Sequence, residues 1–239
     1  MPWWGRCPVQ WCVQCVKVWH TFAMIDVRGA AINPEDAEGG PVMQKFLHVG
    51  CGQQTKHNLK GFSSSTWEEV RFDIDEKVKP DIVGTLTDMT SVESESVDAV
   101  FSSHNLEHVY AHEVITALRE FYRVLKEDGF VVVTCPDLQS VCEAIVQDKL
   151  LQPLFVSPAG PISPVDVLYG HRDLIASGNT YMAHKCGFTY SVLQSSVFNA
   201  GFKNTFGGRR PEHYDLWMVA FKQDLDESKM REMAQEFLP

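Results

Sequence analysis

LHVGCGQQ, residues 47–54, is the stretch whose reading decides the fold. With the preceding QKF it is a short apolar run, and it ends in two glycines flanking Cys51. A buried strand that runs into a glycine turn is where doubly wound sheets lay a ligand across the carboxyl ends of their strands. Glycine lets the backbone approach that ligand with no side chain between them. A full G-x-G-x-x-G reading fails, because Thr55 stands three residues after Gly52. The next apolar segment adds weight. EEVRFDID, residues 68–75, alternates Val70, Phe72 and Ile74 with Arg71, Asp73 and Asp75, the period of two of a strand. Asp73 follows Gly52 by 21 residues. A carboxylate at about that distance, at the end of the second strand, can accept ribose hydroxyl protons. Asp75 shares the face and is its rival.

Outward from there, KPDIVGTL (79–86), SVDAVFSS (96–103) and GFVVVTCPD (129–137) read as further strands. Between the last two, Val114, Ile115, Leu118, Phe121, Tyr122 and Leu125 recur at helical offsets, with Gly129 as the expected stop. DLQSVCEAIVQDKL (137–150) reads as a helix, and proline-rich QPLFVSPAGPISP (152–164) as a loop or insertion. A short helix is expected around 165–176 and a longer one over 189–202, ending at Gly201. FKNTFGG and YDLWMVAFKQ, joined through GRRPEH, read as an antiparallel pair. Strands alternating with helices predict a parallel α/β sheet with right-handed crossovers. The terminal hairpin predicts one antiparallel edge.

The chain has 239 residues, 44% of them hydrophobic and 22% charged, which is ordinary for a globular protein with its own core. A net charge of −10 argues against a nucleic-acid partner, since phosphate backbones are bound by clustered Lys and Arg. Seven irregularly spaced cysteines read as reduced thiols, so a cytoplasmic location is expected. No apolar run approaches the roughly 20 residues of a membrane span, and Arg6, Cys7, Gln10, Gln14 and Lys17 interrupt any secretory signal. Residues 1–42 read as an N-terminal extension ending in the turn-rich NPEDAEGGP (33–41). Cys7, Cys12 and Cys15, with His20, could make a metal site, but one cysteine-rich run is weak support. The expected organisation is this extension, a domain over 43–223 with an insertion at about 139–190, and a tail or helix over 224–239.

Taken in order, LHVGCG, RFDID, GTLTDM, VDAVFSSHNLEHV and REFYRVLKEDGFVVVTCPD resemble the class I S-adenosylmethionine-dependent methyltransferases. The likeness is narrower to the group whose fourth strand runs into H-x-L-E-H. It covers residues 44–138 well and continues loosely to about 222. It implies a doubly wound, Rossmann-like, seven-stranded sheet, mostly parallel with an antiparallel C-terminal hairpin, and S-adenosylmethionine as cofactor. Gly50 and Gly52 would lie against the methionyl part, Asp73 would hold the ribose, and Asp88 with Met89 would border the adenine. His48, Cys51 and Ile74 complete the implied cofactor set, and His104 would face the transferable methyl. The chain departs from the family at His48, usually acidic, and at Gln54, often glycine.

HNLEH, residues 104–108, also matches H-x-x-E-H, the inverted zinc-protease signature. That signature needs an established helix, whereas this motif directly follows a strand. The helix entry reads as Tyr110–His112, with Glu113 in the first turn. His104, His108 and His112 share a face only if the helix begins earlier, so no metal is expected. His104 is the first candidate base and His184, within the insertion, the second. Tyr169 and His171 come third. Arg209 and Arg210 could hold an acidic substrate group, though a solvated turn is their ordinary reading. The expected function is methyl transfer to a small-molecule acceptor. The alternatives are a cofactor-binding protein that acts through protein contacts, motivated by His48 and the Trp-rich N-terminus, and a zinc hydrolase using HNLEH. Neither acceptor atom nor oligomeric state is legible.

Overall fold

The computed structural model describes residues 43–239; the expectations for residues 1–42, including the Cys7, Cys12, Cys15 and His20 site, lie outside the described residues. Five parallel strands come first: β1 (Gln44–Val49), β2 (Trp67–Asp73), β3 (Ile82–Val83), β4 (Val97–Ser103) and β5 (Leu125–Pro136). A small separate hairpin follows, β6 (Phe155–Ser157) with β7 (Gly160–Ile162). Then β8 (Asn204–Arg210) and β9 (Asp215–Phe221) close the main sheet as an antiparallel pair, β9 lying against β5. The order β3-β2-β1-β4-β5-β9-β8 makes this a seven-stranded, Rossmann-like α/β sheet. The order reverses between β1 and β4, so the topological switch point, and with it the ligand crevice, lies at the carboxyl ends of those two strands.

The period-two pattern sorts the strands' side chains onto two cores. Leu47, Val49, Val100, Val131 and Val133 pack with α1 (Val114–Val124), through Ala117, Leu118 and Phe121. The helix spanning Tyr190–Ala200 joins the same core through Leu193 and Val197. The alternate residues Phe46, Phe101, Phe130, Val132 and Phe221 meet Phe62, Trp67 and the C-terminal helix Glu227–Phe237. That helix is the outcome for the tail at 224–239. Phe62 stacks on Phe46 at 4.3 Å and tilts against Phe237 at 4.8 Å, so large aromatic rings cover this face.

In three places the local pattern yields to tertiary pairing. α1 ends at Val124, four residues earlier than the glycine stop implies, because Leu125 already pairs with Val97 of β4. Gly129 instead sits inside β5, where a Cβ would lie 3.0 Å from the Lys126 carbonyl and 3.1 Å from that of Asp98. The helix expected at 165–176 is two, α3 (Pro164–Tyr169) and α4 (Arg172–Ala176), after α2 (Leu138–Val146). They part at Gly170, whose φ of 97° and close approach to the Met182 carbonyl exclude a side chain. The proline-rich passage carries the β6–β7 hairpin. The remaining helices are α5 (Tyr190–Ala200) and α6 (Glu227–Phe237). No helix among the described residues is long and apolar enough to cross a membrane.

Candidate active site

The crevice begins at the turn after β1. Gly50 (φ 62°) and Gly52 (φ 50°) both adopt the left-handed conformation, for different reasons. A Cβ on Gly50 would fall 1.8 Å from Oδ1 of Asn105, whereas one on Gly52 would meet nothing within 4 Å. Gly50 is therefore required by the protein's own packing, and Gly52 keeps open the space in front of the turn. Asn105 is held against the turn by donating Nδ2 to the carbonyls of Val49 (2.8 Å) and Ser103 (3.0 Å). Its place in HNLEH was visible in the sequence, but its partner in the first glycine turn was not.

The turn and the second strand converge. The Gly50 amide donates to the Phe72 carbonyl at 2.8 Å. The Gly52 amide donates to Oδ2 of Asp73 at 2.8 Å, and the Asp75 amide to Oδ1 at 2.9 Å. Arg71, which sequence reading left on a polar face, donates to the Gly52 carbonyl and to that of Lys79. Asp75 accepts from the Lys77 amide at 3.0 Å and caps a 3-10 turn. Of the two rivals, it is Asp73 that touches the glycine turn. Ile74, 46% exposed, stands beside it at the rim.

Three members of the expected cofactor set turn inward. His48 is 2% exposed, and its Nδ1 lies 2.6 Å from Oε1 of Glu69 on β2. Burial lowers its pKa against the pull of Glu69, so the neutral ring donates Nδ1–H to the carboxylate. The other Glu69 oxygen accepts from the Lys56 amide at 2.9 Å. His48 on β1 thus recruits an acid from β2. Cys51 is buried, and desolvation pushes its thiol up to about 11; all four cysteines among the described residues are free. Met89 corrects the sequence reading most clearly. Its side chain is fully buried in the core, and its amide is taken by Oε2 of Glu120 at 2.8 Å. Arg123 binds its carbonyl at 2.8 Å, so Met89 anchors the loop that leaves Asp88 exposed. The Asp88 carboxylate accepts from the Thr90 hydroxyl and amide, which hold its pKa down.

HNLEH is not α-helical. It leaves β4 at His104, makes a 3-10 turn over Leu106–His108, and α1 begins only at Val114, with Glu113 as N-cap. The inverted zinc-protease geometry therefore fails. His104 has φ 52°, an uncommon conformation for a non-glycine residue, and its amide donates to the Thr134 carbonyl at 2.8 Å. Half of its side chain is exposed, and Nδ1 lies 3.4 Å from Oε1 of Glu107. Burial opposes the charge on His104, but the Glu107 carboxylate outweighs it and raises the pKa. Glu107 is itself 1% exposed. Burial favours its neutral form, yet the surrounding His104, His108 and His184 rings hold its pKa below the ordinary value.

The turn after β4 also meets the insertion. The Lys185 amide donates to the Glu107 carbonyl at 2.8 Å, and the His108 and His184 rings lie edge to face with centroids 4.8 Å apart. His104 and His184, the two leading base candidates, are thereby brought to one acid. Tyr169 stays exposed, and His171 caps α4 by accepting from the Leu174 amide. Arg209 and Arg210 are not in a turn but end β8. They pair with buried Asp137 (2.8 Å) and with Asp215, which commits both to the protein's own acids.

Residues 47–133 match the family model described as "Methyltransferase domain", and the cofactor of such a domain is S-adenosylmethionine. No curated protein sequence matches the chain. Among solved structures, it is similar to a Burkholderia thailandensis 1,6-didemethyltoxoflavin-N1-methyltransferase with bound 1,6-didemethyltoxoflavin and S-adenosylhomocysteine. That match has 15% identity, a TM-score of 0.47, and coverage of 76% of this chain and 72% of the other. It is also similar to a SAM-dependent methyltransferase from Archaeoglobus fulgidus (15%, 0.46, 76% and 87%). A third is the CMeT domain of the citrinin polyketide synthase (12%, 0.46, 77% and 47%), of whose length this chain spans about half. At these scores the likenesses do not bear on substrate or mechanism.

Proposed function

We propose that this chain transfers the methyl group of S-adenosylmethionine to a small-molecule acceptor at the crevice between β1 and β4. The observation that carries the reading is the junction of Gly52 and Asp73. A left-handed glycine with open space before it is hydrogen-bonded to a carboxylate at the end of the next strand. This fits a nucleoside bearing an amino-acid tail. The backbone of Gly50 and Gly52 lies along the methionyl part, Asp73 accepts from the ribose hydroxyls, and exposed Ile74 and Asp88 flank the adenine. The cofactor supplies a sulfonium-activated methyl group whose in-line transfer leaves a neutral thioether. The protein's main tasks are then alignment and exclusion of water, which can contribute several kcal/mol.

A base is needed only where the acceptor arrives protonated. His104 is the proposed base, since it is half exposed at the crevice rim and backed by Glu107. His184 lies on the same acid from the insertion side. The net charge of −10 supports a small acceptor rather than a nucleic acid. Isothermal titration with S-adenosylhomocysteine tests the reading. Micromolar binding that Gly50→Ala abolishes is expected, and no heat at millimolar ligand would overturn it.

A further inference from the structure

We propose that Glu107, His108 and His184 bind a divalent first-row transition ion, Zn²⁺ foremost, where the turn after β4 meets the segment after α4. One ligand atom from each residue lies within 4.8 Å of the others. Tetrahedral zinc at about 2.0–2.2 Å from each ligand sets neighbouring ligand atoms roughly 3.4 Å apart. A modest closure of the side chains therefore completes the set.

Three features argue for an ion rather than a packed polar cluster. The first is Glu107. It is 1% exposed, and neither carboxylate oxygen has a hydrogen-bond partner among the described residues. A buried carboxylate without hydrogen bonds needs a positive charge to face it. Nδ1 of half-exposed His104 stands at ion-pair distance, 3.4 Å from Oε1, but makes no hydrogen bond to it, and Oε2 has no partner.

The second feature is the tautomer of the two histidines. Nδ1 of His108 meets the Ala183 carbonyl at 3.1 Å, and Nδ1 of His184 meets the Val167 carbonyl at 2.7 Å. A carbonyl only accepts, so Nδ1 carries a proton in each ring, and Nε2 is the nitrogen left to face an ion when the ring is neutral. Metal-ligating histidines are oriented in this way. With both rings neutral, their Nε2 lone pairs and the Glu107 carboxylate form an acceptor-only set that a bound cation would complete. The third feature is ligand type. Two imidazoles and one carboxylate suit zinc, cobalt or ferrous iron, whereas magnesium and calcium prefer all-oxygen sites. With three protein ligands, a fourth position is left for water, His104 or a substrate atom.

The site does not depend on methyl transfer, and its test is separate. The full chain is stripped of metal and then titrated with Zn²⁺ against a chromophoric chelator, and with Co²⁺ by visible absorption. His184→Ala and His108→Ala should each lose one Zn²⁺ per chain, with affinity falling at least about 100-fold. Exposed His112→Ala should bind as the wild type does. The cobalt spectrum should show weak d–d bands without thiolate charge transfer. That distinguishes this site from Cys7, Cys12 and Cys15, whose triple serine variant should keep the histidine-dependent ion. Should either histidine variant fold poorly, Glu107→Gln supplies the same comparison. Zinc content equal in wild type and the ligand variants overturns the proposal, as does a thiolate-dominated spectrum or no binding. None of these results alters the titration with S-adenosylhomocysteine.

Discussion

At the turn after β1 the crevice is built mostly of backbone: two left-handed glycines, whose amides donate to Phe72 and Asp73, and one carboxylate, Asp73, that accepts hydrogen bonds. At the turn after β4 it is built of ionisable side chains, with His104, Glu107, His108 and His184 brought together from positions up to 80 residues apart. In the side-chain cluster each member sets the charge of the next. On the proposed function, holding falls to one end and chemistry to the other. Substitutions at the first end should therefore change affinity and those at the second turnover.

The sharpest break should come from Gly50→Ala. The new methyl would collide with Asn105 in a left-handed conformation, so binding of S-adenosylhomocysteine by titration should fall more than about 100-fold. Asn105→Ala relieves the collision but not the backbone strain, so the double variant should recover only part of the loss. Next is His104→Gly, which separates the two ends. Turnover should drop by about 100-fold or more with the cofactor Kd unchanged. Thermal stability should not rise, because the strain relieved at φ 52° is offset by loss of the ring that faces buried Glu107. A matching loss of cofactor affinity would dissolve the distinction.

Asp73→Asn should weaken cofactor binding by about 10- to 100-fold, the size of one or two hydrogen bonds to a charged group, and should leave kcat at saturating cofactor nearly unchanged. The smallest effect is one of pH. Burial depresses the folded pKa of His48 below the ordinary 6.5. Its contribution to stability is therefore complete above pH 6.5 and is lost as pH falls from 6.5 toward the folded value, with a slope of at most about 1.4 kcal/mol per unit. His48→Gln should flatten that part of the stability curve, read from urea midpoints between pH 7.5 and 5. An unchanged slope would remove His48 as its source.

The strands, the glycine turn and the candidate ribose acid were legible in the residues themselves, because each rests on a local period or a short spacing. Alternation in EEVRFDID marks a strand whatever it packs against, and a glycine pair after an apolar run marks a turn. Long-range pairing decided the rest. β4 captured Leu125 and cut short a helix that the local pattern would have continued. The resemblance places Met89 beside the adenine, whereas its side chain is packed in the core. His184 reads as one isolated histidine in an insertion, and only the fold sets it against Glu107. Periodicity reports which way a side chain points from its own element. Which charge it then faces depends on where a distant segment lands, and that is settled by the burial of the whole core.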